Sequence, residues 1–315
     1  MQLRLGVDLG GTKIEAVVAR TDGERFEIVA RVRVKTEREK GYEHVIEAAA
    51  HAIADVTKQA SLDRPPPIGV GMPGNVTLRR PDGAPSDVPL VKNSNTTCLN
   101  GRPFRRDLCA RVGVPIVFAN DANCFALAEA TYGAAKGARV AFGVILGTGV
   151  GGGVVVRDRS NGAAWAWEGA QGIAGEWGHI VLEADGGAPC YCGKRGCVET
   201  ILSGPSIERR YRERTGASRS VAEIAASRAE DPHARFVLAE LVQRFGRALA
   251  IVIDVLDPDV VVLGGGVSNL ELLYDEGVAS VARWVFNDEL RTRIVPHTLG
   301  DSAGVIGAAL LPMVN

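Results

Sequence analysis

The sequence predicts an α/β protein of two units, with helices flanking mixed sheets. Three observations carry that expectation. Apolar runs of strand length alternate with segments of helical periodicity along the chain. A strand–glycine-turn–strand pattern opens the chain and recurs near its middle. The length, 315 residues, exceeds what a single hydrophobic core usually supports.

Taken in order, Leu3 to Lys13 and the apolar Ile14 to Val18 read as two antiparallel strands joined by a tight glycine turn. Val45, Ile46, Ala49, Ala52, Ile53 and Val56 recur at helical spacing between His44 and Lys58. A proline-rich break at Asp63 to Pro67 precedes a short strand over 68–74 that ends in a turn. Phe104, Leu108 and Val112 mark a helix, and Ile116 to Ala119 a strand. Phe142 to Gly149 then lines up with Leu5 to Thr12, and Val154 to Val156 supplies the second strand of the repeat. Arg235 to Leu256 is a long helical pattern that Asp257-Pro258 stops. A buried strand, Val260 to Leu263, runs into Gly264-Gly265-Gly266, and Gly304 to Leu311 can form a last short helix.

Composition excludes several classes. A hydrophobic fraction of 46% with 23% charged residues belongs to an ordinary globular chain, neither disordered nor collagen-like nor coiled coil. Lys and Arg total 36 against 37 Asp and Glu, without the basic excess of a nucleic-acid binder. Apolar runs such as Val260 to Leu263 are strand-sized, far short of a membrane span. The first residues lack the apolar stretch of a signal peptide, so a cytoplasmic protein is expected, with neither nucleic acid nor membrane as partner. Six cysteines then need another explanation than disulfides. Cys98, Cys109 and Cys124 are scattered and read as small buried hydrophobes.

His179, Cys190, Cys192 and Cys197 offer one imidazole and three thiolates, the donor set of a closed structural zinc site. Pro189, Gly193 and Gly196 fit a tight knuckle between them. Glu176 and Glu199 flank this loop. They are either exposed loop charges or acceptors held in fixed directions for sugar hydroxyls.

Asp8-Leu9-Gly10-Gly11-Thr12-Lys13 has the chemistry of a phosphate-binding turn. Glycines bring backbone N–H groups close to an anion, Thr12 adds a hydroxyl and Lys13 a cation. Asp8 could hold Mg²⁺ directly or through water. The spacing fits neither a Walker A loop nor a dinucleotide fingerprint. A plain hairpin would need the glycines but not Asp, Thr and Lys together. Gly147, Thr148 and Gly149 open a second glycine-rich turn, read as a second phosphate contact. Gly264 and Gly265 either let a flat nucleotide approach the backbone or form a strand-to-helix turn. Asn120-Asp121-Ala122-Asn123 follows a strand, where Asp121 is a helix cap or a general base at a strand's C-terminal end.

Together these motifs resemble the ROK family of sugar kinases and sugar-responsive repressors. The residues that carry the likeness are 8–13, 71–74, 120–123, 146–149, 175–179, the 190–197 knuckle and 264–266, in the family's order. The resemblance implies two actin-like, ribonuclease-H-like α/β domains closing over a central cleft with a zinc-braced loop. The expected division is 1–119 plus about 302–315 against 120–301. It further implies that Asp121 is the catalytic base, and that Gly74, Asn120, Asp121, Glu176, His179 and Glu199 contact sugar. His179 would give one ring nitrogen to zinc and keep the other for the sugar. Asp8, Gly10, Gly11, Thr12, Thr148 and Gly149 match nucleotide-phosphate contacts, with Mg-ATP as co-substrate.

A repressor of this family carries an N-terminal helix-turn-helix. Only seven residues precede Asp8, so a kinase is expected instead. Lys92 to Gly101 looks most like the stretch in bacterial fructokinases and mannokinases, with Asn95 near the sugar. Fructose or mannose is the expected acceptor, with N-acetylglucosamine and glucose as alternatives. A homodimer is expected by family analogy.

Overall fold

The computed structural model describes residues 2–22 and 24–313. Met1 and residues 314–315 of the expected N-terminal unit lie outside the described residues, as does Gly23.

The strands form two five-stranded sheets and one hairpin. In chain order they are β1 (Gln2–Leu9), β2 (Lys13–Thr21), β3 (Phe26–Lys35), β4 (Ile68–Met72), the hairpin pair β5 (Asn75–Arg79) and β6 (Pro85–Lys92), and β7 (Ile116–Asn120). There follow β8 (Val140–Leu146), β9 (Val150–Arg157), β10 (Ala164–Ala166), β11 (Val260–Gly264) and β12 (Arg293–Pro296). The first sheet has the order β3-β2-β1-β4-β7 and the second β10-β9-β8-β11-β12. In each, three antiparallel strands lead into two parallel ones. The repeat seen in sequence is therefore a repeat of topology. This is the actin-like pair of α/β units that the resemblance implies.

The expected elements form for the expected reasons. Leu5, Val7 and Leu9 alternate into the core on β1, and Leu9 faces Ile14 across the turn. That turn closes with the Gly10 N–H donating to the Lys13 carbonyl at 3.0 Å. Helix α1 (Tyr42–Gln59) buries the predicted face, Val45 through Val56, beside α2 (Phe104–Val112). α3 (Asp121–Tyr132) follows β7. The chain then adds α4 (Glu199–Leu202), α5 (Gly204–Thr215), α6 (Val221–Ala226) and α7 (Pro232–Leu256). Asp231 caps α7 by accepting from the His233 and Ala234 N–H groups, with Pro232 at its first position. α8 (Glu276–Ala282) and α9 (Ala303–Leu310) complete the helices. β11 sits between two parallel neighbours and is buried along its whole length, hence its run of Val and Leu. Each such side chain, fully buried, contributes about 1.5–3 kcal/mol.

Three apolar clusters result. One lies between the first sheet and α1–α2, another between the second sheet and α5, α7 and α8. The third joins the halves through α3 and α9. Gly307 of α9 crosses α3 so closely that a Cβ there would overlap the Cys124 carbonyl oxygen. Cys124 is buried, whereas Cys98 and Cys109 are only half-buried, less than their reading as core hydrophobes implies. Among the described residues no helix is long and apolar enough to cross a membrane.

Candidate active site

Asp121 begins α3 at the end of β7, and the structure separates it from the capping role. The cap is Asn120, whose Oδ1 accepts from the Ala122 N–H at 2.9 Å while its Nδ2 donates to the Gly74 carbonyl at 3.2 Å. Asp121 Oδ1 accepts from the same N–H at 2.9 Å and lines a cleft of about 240 Å³. Burial, then the negative charge of Asp8, push the Asp121 carboxyl up to about 7, against the pull of the Ala122 N–H and with a further push from Glu176. Burial and the charge of Glu15 likewise raise Asp8 to about 6. A carboxyl poised near neutrality at a strand end is what a general base at physiological pH requires.

The opposite wall is built by the knuckle and the loop before it. Glu176 accepts from Asn75 Nδ2 at 2.7 Å, which ties it to the β5 hairpin. Glu199, first residue of α4, accepts from the Val150 N–H at 3.0 Å and so anchors the second glycine turn. His179 Nδ1 lies 3.6 Å from Cys190 Sγ, and Cys192 Sγ lies 3.6 Å from Cys197 Sγ. All four donor atoms fall within 4.8 Å of one another, so the group could hold a metal ion. Ligands at ~2.3 Å in a tetrahedron stand roughly 3.7 Å apart, so the donor set and spacing are compatible with zinc. His179 Nε2 faces away from the thiolates but is met at 3.0 Å by the Tyr191 hydroxyl.

The cleft brings together Gly74, Asn95, Asn120, Asp121, Gly147, Thr148, Gly149, Glu176, His179 and Glu199 from the sequence-derived candidates. Tyr191 also lines it, and no motif had signalled that residue. Nor did any motif point to Asn75 or Arg38. Arg38 Nη1 lies over Gly11 and donates to the Asn95 carbonyl at 3.0 Å, linking the first glycine turn to the Asn95 loop.

Other candidates lie outside this lining. Asp8 stands behind Asp121 and acts on it electrostatically. Gly10, Gly11 and Thr12 form the β1–β2 turn. Lys13 Nζ is directed at Glu15 at 3.5 Å, a carboxylate only 1% exposed that also pairs with Arg31 and Arg33. Gly264 and Gly265 have internal reasons to be glycine. A Cβ on the first would overlap the Phe125 ring, and Gly265 has φ +83° against the Leu146 carbonyl. The second glycine run is divided in the same way. Gly147 and Gly149 make the turn, whereas Gly152 and Gly153 let β9 approach the Gly175 loop and α3.

Comparison with known proteins finds relatives along nearly the whole chain. The family model described as "ROK family" matches residues 4–313. The N-acetyl-D-glucosamine kinase of Vibrio vulnificus (strain YJ016) is 36% identical over 320 residues, spanning 97% of this chain and 98% of its own. The ROK hexokinase of Thermus thermophilus superposes with a TM-score of 0.81 at 34% identity, over 98% of this chain and 97% of that one. A ROK family glucokinase from Streptomyces griseus, solved with glucose and AMPPNP, gives 0.78 at 29% identity over 99% of both chains.

Proposed function

The chain belongs to the ROK family, and from that premise we propose that it is an ATP-dependent hexose kinase phosphorylating the 6-hydroxyl of fructose or mannose. The observation that carries this reading is Asp121, a near-neutral carboxyl facing a glycine turn and two fixed glutamates across one small cleft.

Asp121 accepts the proton of the sugar's primary hydroxyl as that oxygen attacks the γ-phosphorus in line. Glu176, Glu199, Asn95 and Asn120 hold the remaining hydroxyls, each already fixed by its own hydrogen bond or loop. Backbone N–H groups of Gly11 and Thr12, in the turn that Gly10 closes, and of Thr148 and Gly149 on the other side, hold the phosphates. Lys13 adds positive charge from its place beside Glu15, and Gly147 lets its turn come close. Gly264 ends β11 and Gly265 follows it, where a nucleotide base can lie. Asp8 would hold Mg²⁺, directly or through water, and the excess negative charge around it suits a cation. That ion, when bound, neutralises charge building on the phosphates. His179, Cys190, Cys192 and Cys197 hold a structural zinc.

The reading divides the chain at 1–119 plus about 302–315 against 120–301. The packing of α9 on the first sheet and α3 on the second supports this. A homodimer is proposed by analogy with the family, and a cytoplasmic location from the lack of a signal-peptide-like stretch in the first residues.

Fructose or mannose rests on the Lys92–Gly101 stretch, whose Asn95 lines the cleft. The second reading, N-acetylglucosamine, is favoured by the name of the Vibrio vulnificus relative, and glucose by that of the Streptomyces structure. A kinetic panel of these four sugars with Mg-ATP decides among them. A tenfold or greater preference in kcat/KM for N-acetylglucosamine, ~1.4 kcal/mol in transition-state binding, overturns the hexose assignment and leaves the kinase standing.

A further inference from the structure

Tyr191 sits in the knuckle between Cys190 and Cys192, and the mechanism above gives it no task. Two contacts fix its ring. The phenol oxygen is 3.0 Å from His179 Nε2, and the ring stands edge-on to the imidazole, centroids 5.1 Å apart at 88°. The side chain is 65% exposed and lines the cleft that Asp121 also lines. With a metal ion on Nδ1, Nε2 would carry the ring proton and donate to the phenol oxygen. The phenolic O–H is then left for an acceptor in the cleft.

We propose that Tyr191 is a sugar-contacting residue that sets hexose specificity, its hydroxyl meeting a hydroxyl of the bound hexose and its ring occupying room that an N-acetyl group would need. The proposal rests on the hexose-kinase reading. A hexose with its reacting hydroxyl at Asp121 turns its far end toward the wall formed by His179 and Tyr191. The cleft holds only about 240 Å³. An acetamido group directed at this wall in place of a hydroxyl would meet a ring held against His179 and flanked on both sides by cysteines of the candidate metal site.

The test compares the parent with Tyr191→Phe and Tyr191→Ala, using fructose, mannose and N-acetylglucosamine. Metal content and the circular dichroism spectrum are measured on each protein, and sugar affinity is measured calorimetrically without ATP. Tyr191→Phe keeps the ring and loses the donor. Its KM and Kd for the preferred hexose should rise roughly three- to tenfold, the loss falling on KM more than on kcat. Tyr191→Ala opens the wall, and the ratio of kcat/KM for N-acetylglucosamine to that for the preferred hexose should rise about tenfold or more. A parent that prefers fructose or mannose, with both variants metal-loaded and this ratio and Kd unchanged, overturns the proposal and leaves the hexose assignment intact. A parent that prefers N-acetylglucosamine overturns both, and a parent inactive on every sugar overturns the kinase reading itself.

Discussion

At the scale of single residues, Asp121 is where cap and base diverge, and the structure gives the cap to Asn120. The motif Asn-Asp at a strand end was legible in sequence, but which of the two side chains turns back to the helix was not, since either can cap. Asp121→Asn should lower kcat by ~10²- to 10⁴-fold at saturating sugar and Mg-ATP, because an amide cannot take the proton. Its stability should move the other way. The folded-state carboxyl lies near 7, well above its ordinary 3.8, so the folded protein binds the extra proton and loses stability as pH rises between these values. Removing that carboxylate should leave the Tm at pH 8 equal to the parent's or higher. A Tm that falls with kcat intact would return Asp121 to a structural role. The same carboxyl gives the pH profile of the parent its direction. The base form is lost on acidification, so kcat/KM should fall as pH drops through about 7. A profile flat from pH 8 to 5.5 would place the base elsewhere.

At the scale of elements, the strand–glycine-turn–strand pairs and the long α7 were legible because their periodicity is strong and local. β3 is not among the elements expected from sequence, although Ala30, Val32 and Val34 alternate with Arg31 and Arg33. The β5–β6 hairpin carries too weak an alternation to read, yet it supplies Asn75 to Glu176. The knuckle was legible from donor spacing alone, but the direction of Tyr191 depends on how the turn folds back on His179. One zinc per chain is expected, and chelation should cost affinity as well as stability. His179 is one of the four donors, Tyr191 lies between two others, and Glu199 stands two residues after Cys197 while anchoring the Val150 N–H. Sugar Kd should therefore rise and Tm fall after chelation, both returning with added Zn²⁺, as elemental analysis and calorimetry would show. Active protein free of zinc would remove the site. Helix crossing is a second test at this scale. Gly307→Ala forces α9 against the Cys124 carbonyl of α3 and should cost about 1–3 kcal/mol or more, whereas Gly266→Ala meets open space and should leave the Tm in place. Equal melting points for the two would mean that α9 does not pack closely on α3 at Gly307.

At the scale of the molecule, the two sheets share one strand order, and each opens with a glycine turn. Sequence matching could show the turns but not their relation, because which strand lies beside which is a long-range property. The relation has a consequence. The second turn lines the cleft with Asp121, whereas Gly10, Gly11 and Thr12 do not. If both turns hold one triphosphate, the first must come closer when ligands bind, and the halves must close about the α3–α9 junction. Closure also serves the chemistry, since water competes with the sugar for the phosphoryl group. Small-angle scattering with a saturating hexose and a non-hydrolysable ATP analogue should therefore give a smaller radius of gyration than the free protein. ATP hydrolysis without sugar should stay far below the rate of sugar phosphorylation. Ligand-saturated scattering identical to that of the free protein, with phosphorylation intact, would mean that one turn suffices and that the first serves only as a hairpin.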